Sequence, residues 1–387
     1  MKYILLLVFT FIATVGYCQF QLRGKLVAAD TKTPLVAASV FLSNTSVGTV
    51  TNSEGEFVLN IPAGKYDLIA SFIGYETNAR TISTAISEVL VIELQPKAKV
   101  LNEVVVGGYE KDGWSKWGDL FLKSFIGTTQ WSADCSIINY KEIKFRHNKK
   151  DNILTAVAGD QLVIENKALG YTIKYQLENF EYDFKNRFLV VAGFPLFIPM
   201  QGSKGKEHRW LNRREEAYYG SMMQFMRALY RNMIAEEGFD VRRLVKTPNH
   251  EKDRIRDVYR RSSINKDSSS YYERILSQPD LISTYSKYKI AGDSIGFQVD
   301  SITAGLEFDN YLHVIYTKAS PPISYRQLSP HNGRMMSELS LVTPEPIQIQ
   351  SNGAYYSPVN LVSSGYWSWS EKIANMLPFD YKPEVKK

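Results

Sequence analysis

The chain has 387 residues, 44% of them apolar and 13% aromatic, which suffices for packed cores in two domains of ordinary size and excludes a disordered polypeptide. Its formal charge of +6 is modest for this length, so the distribution of charge says more than the total.

The first segment, Met1–Gln19, carries one cation at Lys2, then an apolar run from Ile4 to Val15 that is too short to span a bilayer, then small residues. It reads as a secretory signal peptide over residues 1–18, cleaved between Cys18 and Gln19. Lipid attachment at Cys18 is the alternative, although Tyr17 stands where a lipobox places a small residue. With Cys18 removed, Cys135 stands alone and no intramolecular disulfide can form, so stability must come from the cores. No later apolar run approaches the roughly 20 residues of a membrane helix. The mature chain is therefore expected to be soluble or peripheral, and export makes nucleic acid no target.

From Phe20 to Leu94, short alternating runs recur between turn residues, the pattern of a β-sandwich over residues 19–95. Phe20, Leu22 and Leu26 share one face; Ala38, Val40 and Leu42 form the next; Phe57, Leu59 and Ile61, then Tyr66, Leu68, Ala70 and Phe72, then Leu90, Ile92 and Leu94 complete the set. Asn52-Ser-Glu-Gly55, Pro62-Ala-Gly64 and Gly74 supply the turns. The spaced residues Gly24, Pro34-Leu35, Ala38-Ser39-Val40, Gly48-Thr49-Val50-Thr51, Gly55-Glu56-Phe57, Pro62-Ala63-Gly64-Lys65-Tyr66 and Ile73-Gly74-Tyr75 closely resemble the carboxypeptidase-like regulatory domain. That resemblance implies a seven-stranded, transthyretin-like sandwich without catalytic residues, and it implies no peptidase.

Residues 96–112 follow as a linker or strand. Within them, Leu101-Asn-Glu-Val-Val-Val-Gly-Gly-Tyr109 is similar to the segment after the same module in starch-utilisation-type TonB-dependent receptors. Too few residues remain for a plug and a 22-stranded barrel of ~10-residue strands, so transport is not carried over.

The remainder, 113–387, is expected to be a larger α+β domain built on an antiparallel sheet, which makes the whole chain mainly β. Trp114, Trp117, Phe121 and Phe125 at helical spacing, with Gly127 beyond, predict a short helix. Cys135–Phe145, Ile153–Ile164, Tyr171–Phe180 and Phe188–Ile198 predict strands of a meander. One long amphipathic helix is predicted from an Asn212 cap with Glu215 to a stop at Gly238. Its buried stripe would hold Tyr218, Met222, Phe225, Met226, Leu229 and Met233. Its opposite face would present Arg213, Gly220, Gln224, Arg227 and Arg231, so Arg213, Gln224, Arg227 and Arg231 are the candidate binding residues, suited to gripping an anionic ligand or partner. A solvated helix face paired with Glu215 and Glu216 is the plainer reading of the same residues.

Further strands are predicted near Phe239–Val245, Lys287–Ile290, Gly296–Ile302, Leu312–Tyr316 and Ile347–Ile349. Ser368-Trp-Ser-Glu371 reads as a capping box opening a last helix that ends at Pro378, with Trp369, Ile373, Met376 and Leu377 on one face. That placement puts Trp369 in a core and argues against a sugar platform with Trp367. Arg214–Ser221, Arg227–Leu229 and the Gly365–Tyr381 ending are similar to exported envelope proteins of Gram-negative bacteria that carry this regulatory domain, which implies an architecture and no biochemical activity.

The search for chemistry is short. None of the five histidines (His147, His208, His250, His313, His331) has a His or Glu three residues on, and there is no HExxH, so no metal or cofactor is expected. Gly292-Asp-Ser-Ile-Gly296 matches a nucleophile elbow formally, with Asp300 or Asp309 and His313 or His331 as partners; yet alternating residues follow it and the βαβ order of such hydrolases is absent. Ser294 is thus a weak catalytic candidate. Ser263-Ile-Asn-Lys266 and Ser286-Lys-Tyr-Lys289 match SxxK spacing without its partner motifs. Between Lys204 and Arg261, 15 Lys and Arg stand against 9 Asp and Glu, a basic region able to meet an anionic lipid surface. The leading expectation is a non-catalytic cell-envelope protein, periplasmic or associated with the outer membrane, that binds an envelope protein or an anionic ligand. A Ser294 hydrolase and peripheral membrane contact through 204–261 are the alternatives, and oligomeric state stays open.

Overall fold

A computed structural model describes residues 19–84, 89–97, 108–261, 269–328 and 333–384. The predicted signal segment with Cys18, Leu101–Gly107, Ser263–Lys266 and His331 lie outside the described residues. The described chain divides into two compact units, one within 1–42 and 47–99, the other within 43–46 and 100–387.

The first unit holds seven strands: β1 (Gln19–Ala28), β2 (Ser39–Leu42), β3 (Gly48–Val50), β4 (Glu56–Pro62), β5 (Lys65–Ser71), β6 (Asn78–Ser83) and β7 (Leu90–Leu94). They form a three-stranded sheet ordered β4-β1-β7 and a four-stranded sheet ordered β3-β2-β5-β6. Strict alternation along β4 sends Phe57, Leu59 and Ile61 inward, where they meet Leu26, Val40, Leu68 and Ile92. Phe20, expected on that inner face, sits at the start of β1 and is 37% exposed. Gly24 opposes Phe57 in the β1–β4 ladder, and a Cβ there would fall 2.5 Å from the Phe57 ring, so only glycine fits.

The second unit opens with α1 (Gly113–Phe125), closed by Gly127 at φ +104°, whose N–H returns to the Leu122 carbonyl at 3.1 Å. Strands β8 (Cys135–Ile137), β9 (Ile143–Asn148), β10 (Ile153–Ala158), β11 (Leu162–Asn166), β12 (Tyr171–Asp183) and β13 (Phe188–Pro199) make an antiparallel sheet. Two predicted strands are each divided. A single helical turn at Tyr140–Glu142 separates β8 from β9. The 13-residue β12 accepts both β11 and β10 on one edge, in the registers Leu162 to Tyr175 and Ile153 to Asp183, so the chain must break between them. Phe121 and Phe125 of α1 pack with Phe145 and Phe180 of this sheet.

The long helix predicted from Asn212 to Gly238 is two helices, α2 (Lys204–Tyr218) and α3 (Met222–Tyr230). Asn212 lies inside α2 and caps nothing; the chain turns at Gly220, φ +82°, and the Ser221 hydroxyl accepts the Gln224 N–H at 3.1 Å to start α3. Beyond the break the single-helix projection fails: Tyr218, Met222, Phe225, Met226 and Leu229 are buried as expected, but Met233 is 40% exposed.

After α3 come β14 (Phe239–Pro248), α4 (His250–Arg261), α5 (Ser269–Leu276), β15 (Leu281–Tyr285), β16 (Gly296–Gln298), β17 (Thr303–Leu306), β18 (Tyr311–Tyr316), α6 (Ile323–Arg326), β19 (Met335–Leu341), β20 (Ile347–Gln350), β21 (Tyr355–Tyr356), β22 (Leu361–Gly365) and α7 (Tyr366–Ser370). They form a five-stranded sheet, β15-β14-β18-β19-β22, and a four-stranded sheet, β16-β17-β20-β21. Phe225, Met226 and Leu229 share one core with Val241, Val314, Leu339, Ile349 and Trp367 of these sheets and α7. The predicted strand Lys287–Ile290 is not one: the Tyr288 N–H turns back to the Ser286 hydroxyl at 3.1 Å, and the pairing segment is β15 just before it. Gly296–Ile302 continues as strand only to Gln298. The last helix is also relocated. It runs Tyr366–Ser370 after Gly365 at φ +72°, so Ser368 lies within it and Glu371 follows it. Trp367 and Trp369 are 2% and 8% exposed, which removes both from any sugar platform, while Ile373 and Leu377 enter the core of the six-stranded sheet.

Candidate functional site

The structure gathers three of the four candidate binding residues around α3 and buries two of them, Gln224 and Arg227, while Arg231 stays exposed. Gln224 is 1% exposed; its Oε1 accepts the Gly220 N–H at 2.7 Å and its Nε2 donates to Glu237 at 2.8 Å. Arg231 donates to the other oxygen of Glu237 at 2.7 Å and to the Arg227 carbonyl at 3.1 Å. Arg227 is 9% exposed and donates to the carbonyls of Asn352, Phe379 and Tyr381 at 2.8, 3.1 and 2.9 Å, with its guanidinium 5.3 Å from the Tyr218 ring centre. The expectation of an arginine face open to solvent is therefore corrected for Gln224 and Arg227. Kinking at Gly220 rotates α3 so that this side meets backbone carbonyls of the C-terminal segment. Arg213 lies apart on α2, donating to Asp134 at 3.3 Å and the Ala168 carbonyl at 3.4 Å.

Ser294 ends a short helical turn, Gly292–Ser294, and is exposed; its hydroxyl lies 3.5 Å from Asp293. His313, a proposed partner, projects from β18 against the Tyr285 ring, 4.7 Å between centres, and neither ring nitrogen has a hydrogen-bond partner among the described residues. Burial pushes its pKa down. A nucleophile and base in hydrogen-bond contact are thus not formed by these two. Among the described residues no group of three or more His, Cys, Asp or Glu could hold a metal ion. Several cations of the basic region are paired: Arg242 with Asp240, Lys246 with Glu338, Arg254 with Glu251, and Lys252 and Arg256 with Asp280.

The recess that the sequence did not announce lies within the second unit. A cleft of about 260 Å³ is lined by Phe125 of α1, Ala217 of α2, Met222 and Met223 of α3, Tyr355 of β21 and the segment after α7. Glu371 and Lys372 stand together on its wall, with Asn375 beside them. Glu371 Oε1 accepts the Met222 N–H at 3.1 Å, so the carboxylate sits on the N-terminus of α3, the positive end of its dipole. The residue is exposed at the cleft, while the protein packed around its carboxyl displaces part of its hydration. That crowding pushes its carboxyl up to about 7, opposed by the Met222 N–H and the neighbouring Lys372 charge. Burial lowers the Lys372 pKa, with the Glu371 charge acting against it. Tyr355 is held above its ordinary value by burial first and by the Glu371 charge second. A smaller cavity of about 20 Å³ shares Ala217, Ser221, Glu371 and Asn375 with the cleft and adds Glu216, whose carboxyl pKa is raised by burial. Chemically, the cleft offers a fixed carboxyl, an ammonium and thioether and aromatic walls, a set able to bind and orient a small molecule. The local signal was present, since Ser368-x-x-Glu371 marks Glu371 as a capping residue; the helix it caps, however, is α3.

Residues 22–106 match the family model of the CarboxypepD_reg-like domain. Two curated proteins align with about the same stretch: the TonB-dependent receptor P39 of Formosa agariphila, 31% identical over 110 residues, and the TonB-dependent receptor SusC of Bacteroides thetaiotaomicron, 28% identical over 109 residues. Each alignment takes in 28% of this chain and 10% of the relative, so the chain spans about a tenth of their length. Among solved structures, a DUF3823 family protein from Bacteroides ovatus aligns with 48% of this chain and 82% of its own, at 12% identity and a TM-score of 0.17. The chain therefore carries a CarboxypepD_reg-like domain at residues 22–106, followed by a larger antiparallel-sheet unit.

Proposed function

We propose that this chain is a non-catalytic binding protein of the cell envelope, in which the sandwich is an interaction or spacer module and the second unit receives a small ligand in the cleft beside Glu371. The cleft carries the reading: polar groups of opposite charge stand on its wall, and apolar side chains from three helices form its sides. The signal-like segment Met1–Cys18 and the likeness of residues 22–106 to the corresponding part of TonB-dependent receptors support the envelope placement. An envelope protein met by the sandwich is the companion proposal.

The test is a thermal-shift screen of small metabolites on the wild-type protein and on Ala217→Trp, which fills the recess that Ala217 borders. Compounds that raise the melting temperature of the wild type and leave folded Ala217→Trp unmoved support the reading. Hits that raise both equally place binding elsewhere and overturn it. Cell fractionation provides the second arm, since a protein found in the cytoplasm contradicts the envelope assignment.

A further inference from the structure

Glu371 and Lys372 are neighbours in the chain, line one cleft and do not pair with each other in a salt bridge. Glu371 is fixed: its Oε1 accepts the Met222 N–H at 3.1 Å, and the neighbouring Ser370 hydroxyl also stabilises its charged form. Lys372 has no hydrogen-bonded or ion-paired partner for its ammonium among the described residues. Lys372 is partly buried, so its ammonium opens onto the cleft with the Glu371 charge nearby but no salt bridge to neutralise it, and an anion brought into the cleft would find it available. Asn375 also lines the cleft, and its amide carbonyl accepts the Thr129 hydroxyl at 2.6 Å. Against these polar groups stand Phe125, Met223 and Leu377, an apolar wall.

We propose that the cleft takes a small zwitterion of the amino-acid class with an apolar side chain, its ammonium on Glu371, its carboxylate on Lys372 and its body against Phe125, Met223 and Leu377. This rests on the reading of the cleft as a binding site. Charge selects the class. A simple amine would meet the Lys372 ammonium, and a simple carboxylate would meet ionised Glu371, whereas a zwitterion satisfies both and leaves the cleft's net charge unchanged. Size agrees, because about 260 Å³ falls below the ~300–1,000 Å³ of pockets for drug-sized ligands. Adaptable thioethers of Met222, Met223 and Met376 fit branched, thioether or aromatic side chains rather than one shape.

Calorimetric titration of the full chain with L-leucine, L-methionine and L-phenylalanine tests it, with leucine amide, 4-methylpentanoate and glycine as probes lacking the carboxylate, the ammonium and the apolar body. The three amino acids should bind, and each truncated probe should bind at least about tenfold more weakly. Glu371→Gln, which keeps an acceptor for the Met222 N–H, and Lys372→Met should each weaken L-leucine at least about tenfold in a protein that melts cooperatively. Leucine amide or 4-methylpentanoate binding as tightly as L-leucine, wild-type affinity in both variants, or no binding of any of the three amino acids overturns the proposal. If a variant fails to fold, the wild-type probe series decides alone. A metabolite of another class whose binding is lost in Ala217→Trp would sink the zwitterion assignment and leave the cleft reading standing.

Discussion

Arg227→Met separates a structural arginine from a ligand-gripping one. The substitution keeps most of the stem and removes a guanidinium that donates to three backbone carbonyls, those of Asn352, Phe379 and Tyr381, at 2.8–3.1 Å from a position 9% exposed. Hydrogen bonds from a charged donor contribute roughly 1.5–3 kcal/mol each, and stranded carbonyls cost desolvation; three such bonds are not additive, and release of a buried charge offsets part of the loss. A net cost of about 3 kcal/mol follows, which at roughly 2 °C per kcal/mol for a large domain lowers the melting temperature by about 6 °C. Arg227→Lys keeps a charge but loses the fork and should cost about half as much. The six tryptophans, Trp114, Trp117, Trp131, Trp210, Trp367 and Trp369, all lie in the second unit, so tryptophan fluorescence during a thermal ramp reports this transition without the sandwich. A melting temperature for Arg227→Met within about 1 °C of wild type would refute the structural assignment and return Arg227 to the list of ligand contacts.

Three further outcomes follow from the same geometry. The Glu371 carboxyl, raised from 4.5 to about 7, favours the protonated folded state, so its contribution is intact below about 4.5 and is lost as pH rises through about 7. The ceiling on that loss is about 3 kcal/mol, reduced to about 1 by water in the cleft. Glu371→Gln should therefore gain stability relative to wild type between pH 5 and pH 8, and a difference in melting temperature that does not change with pH contradicts the burial argument. Gly220→Ala should lower stability by about 1–2 kcal/mol in chemical denaturation. Gly220 has φ +82°, and a Cβ would lie 2.4 Å from Met335 Cε and 2.9 Å from the Tyr316 ring. An unchanged midpoint would mean that α2 and α3 do not require this turn. Finally, the wild-type protein should take no serine-reactive fluorophosphonate label, and labelling that disappears in Ser294→Ala would replace the binding account with hydrolase chemistry.

The sandwich was legible because its signals are local: Phe57, Leu59 and Ile61 alternate, and Gly24, Gly55 and Gly64 stand where a side chain or a negative φ does not fit. The α2–α3 break was hidden by continuity. Apolar residues keep helical spacing from Tyr218 to Leu229, and one glycine within such a run is ordinarily tolerated. A sharper reading was available, since Gly220-Ser221 followed by Gln224 is itself a start signal. The fate of Arg227 was not legible at all, because its acceptors lie 125 to 154 residues away and local spacing carries no information about them. Glu371 illustrates the mixed case: its type and position marked a cap, while the helix it caps is 149 residues earlier and was assembled by the tertiary fold. The cleft is likewise a product of packing between two cores, so no motif announced it.

Hydrogen–deuterium exchange with and without a compound from the thermal-shift screen locates binding most directly. Protection confined to peptides covering 217–223, 353–355 and 371–379 is the expected result. Protection in the sandwich peptides, or along 204–216 and 250–261 with the cleft peptides unchanged, would contradict the claim that the second unit works through this recess.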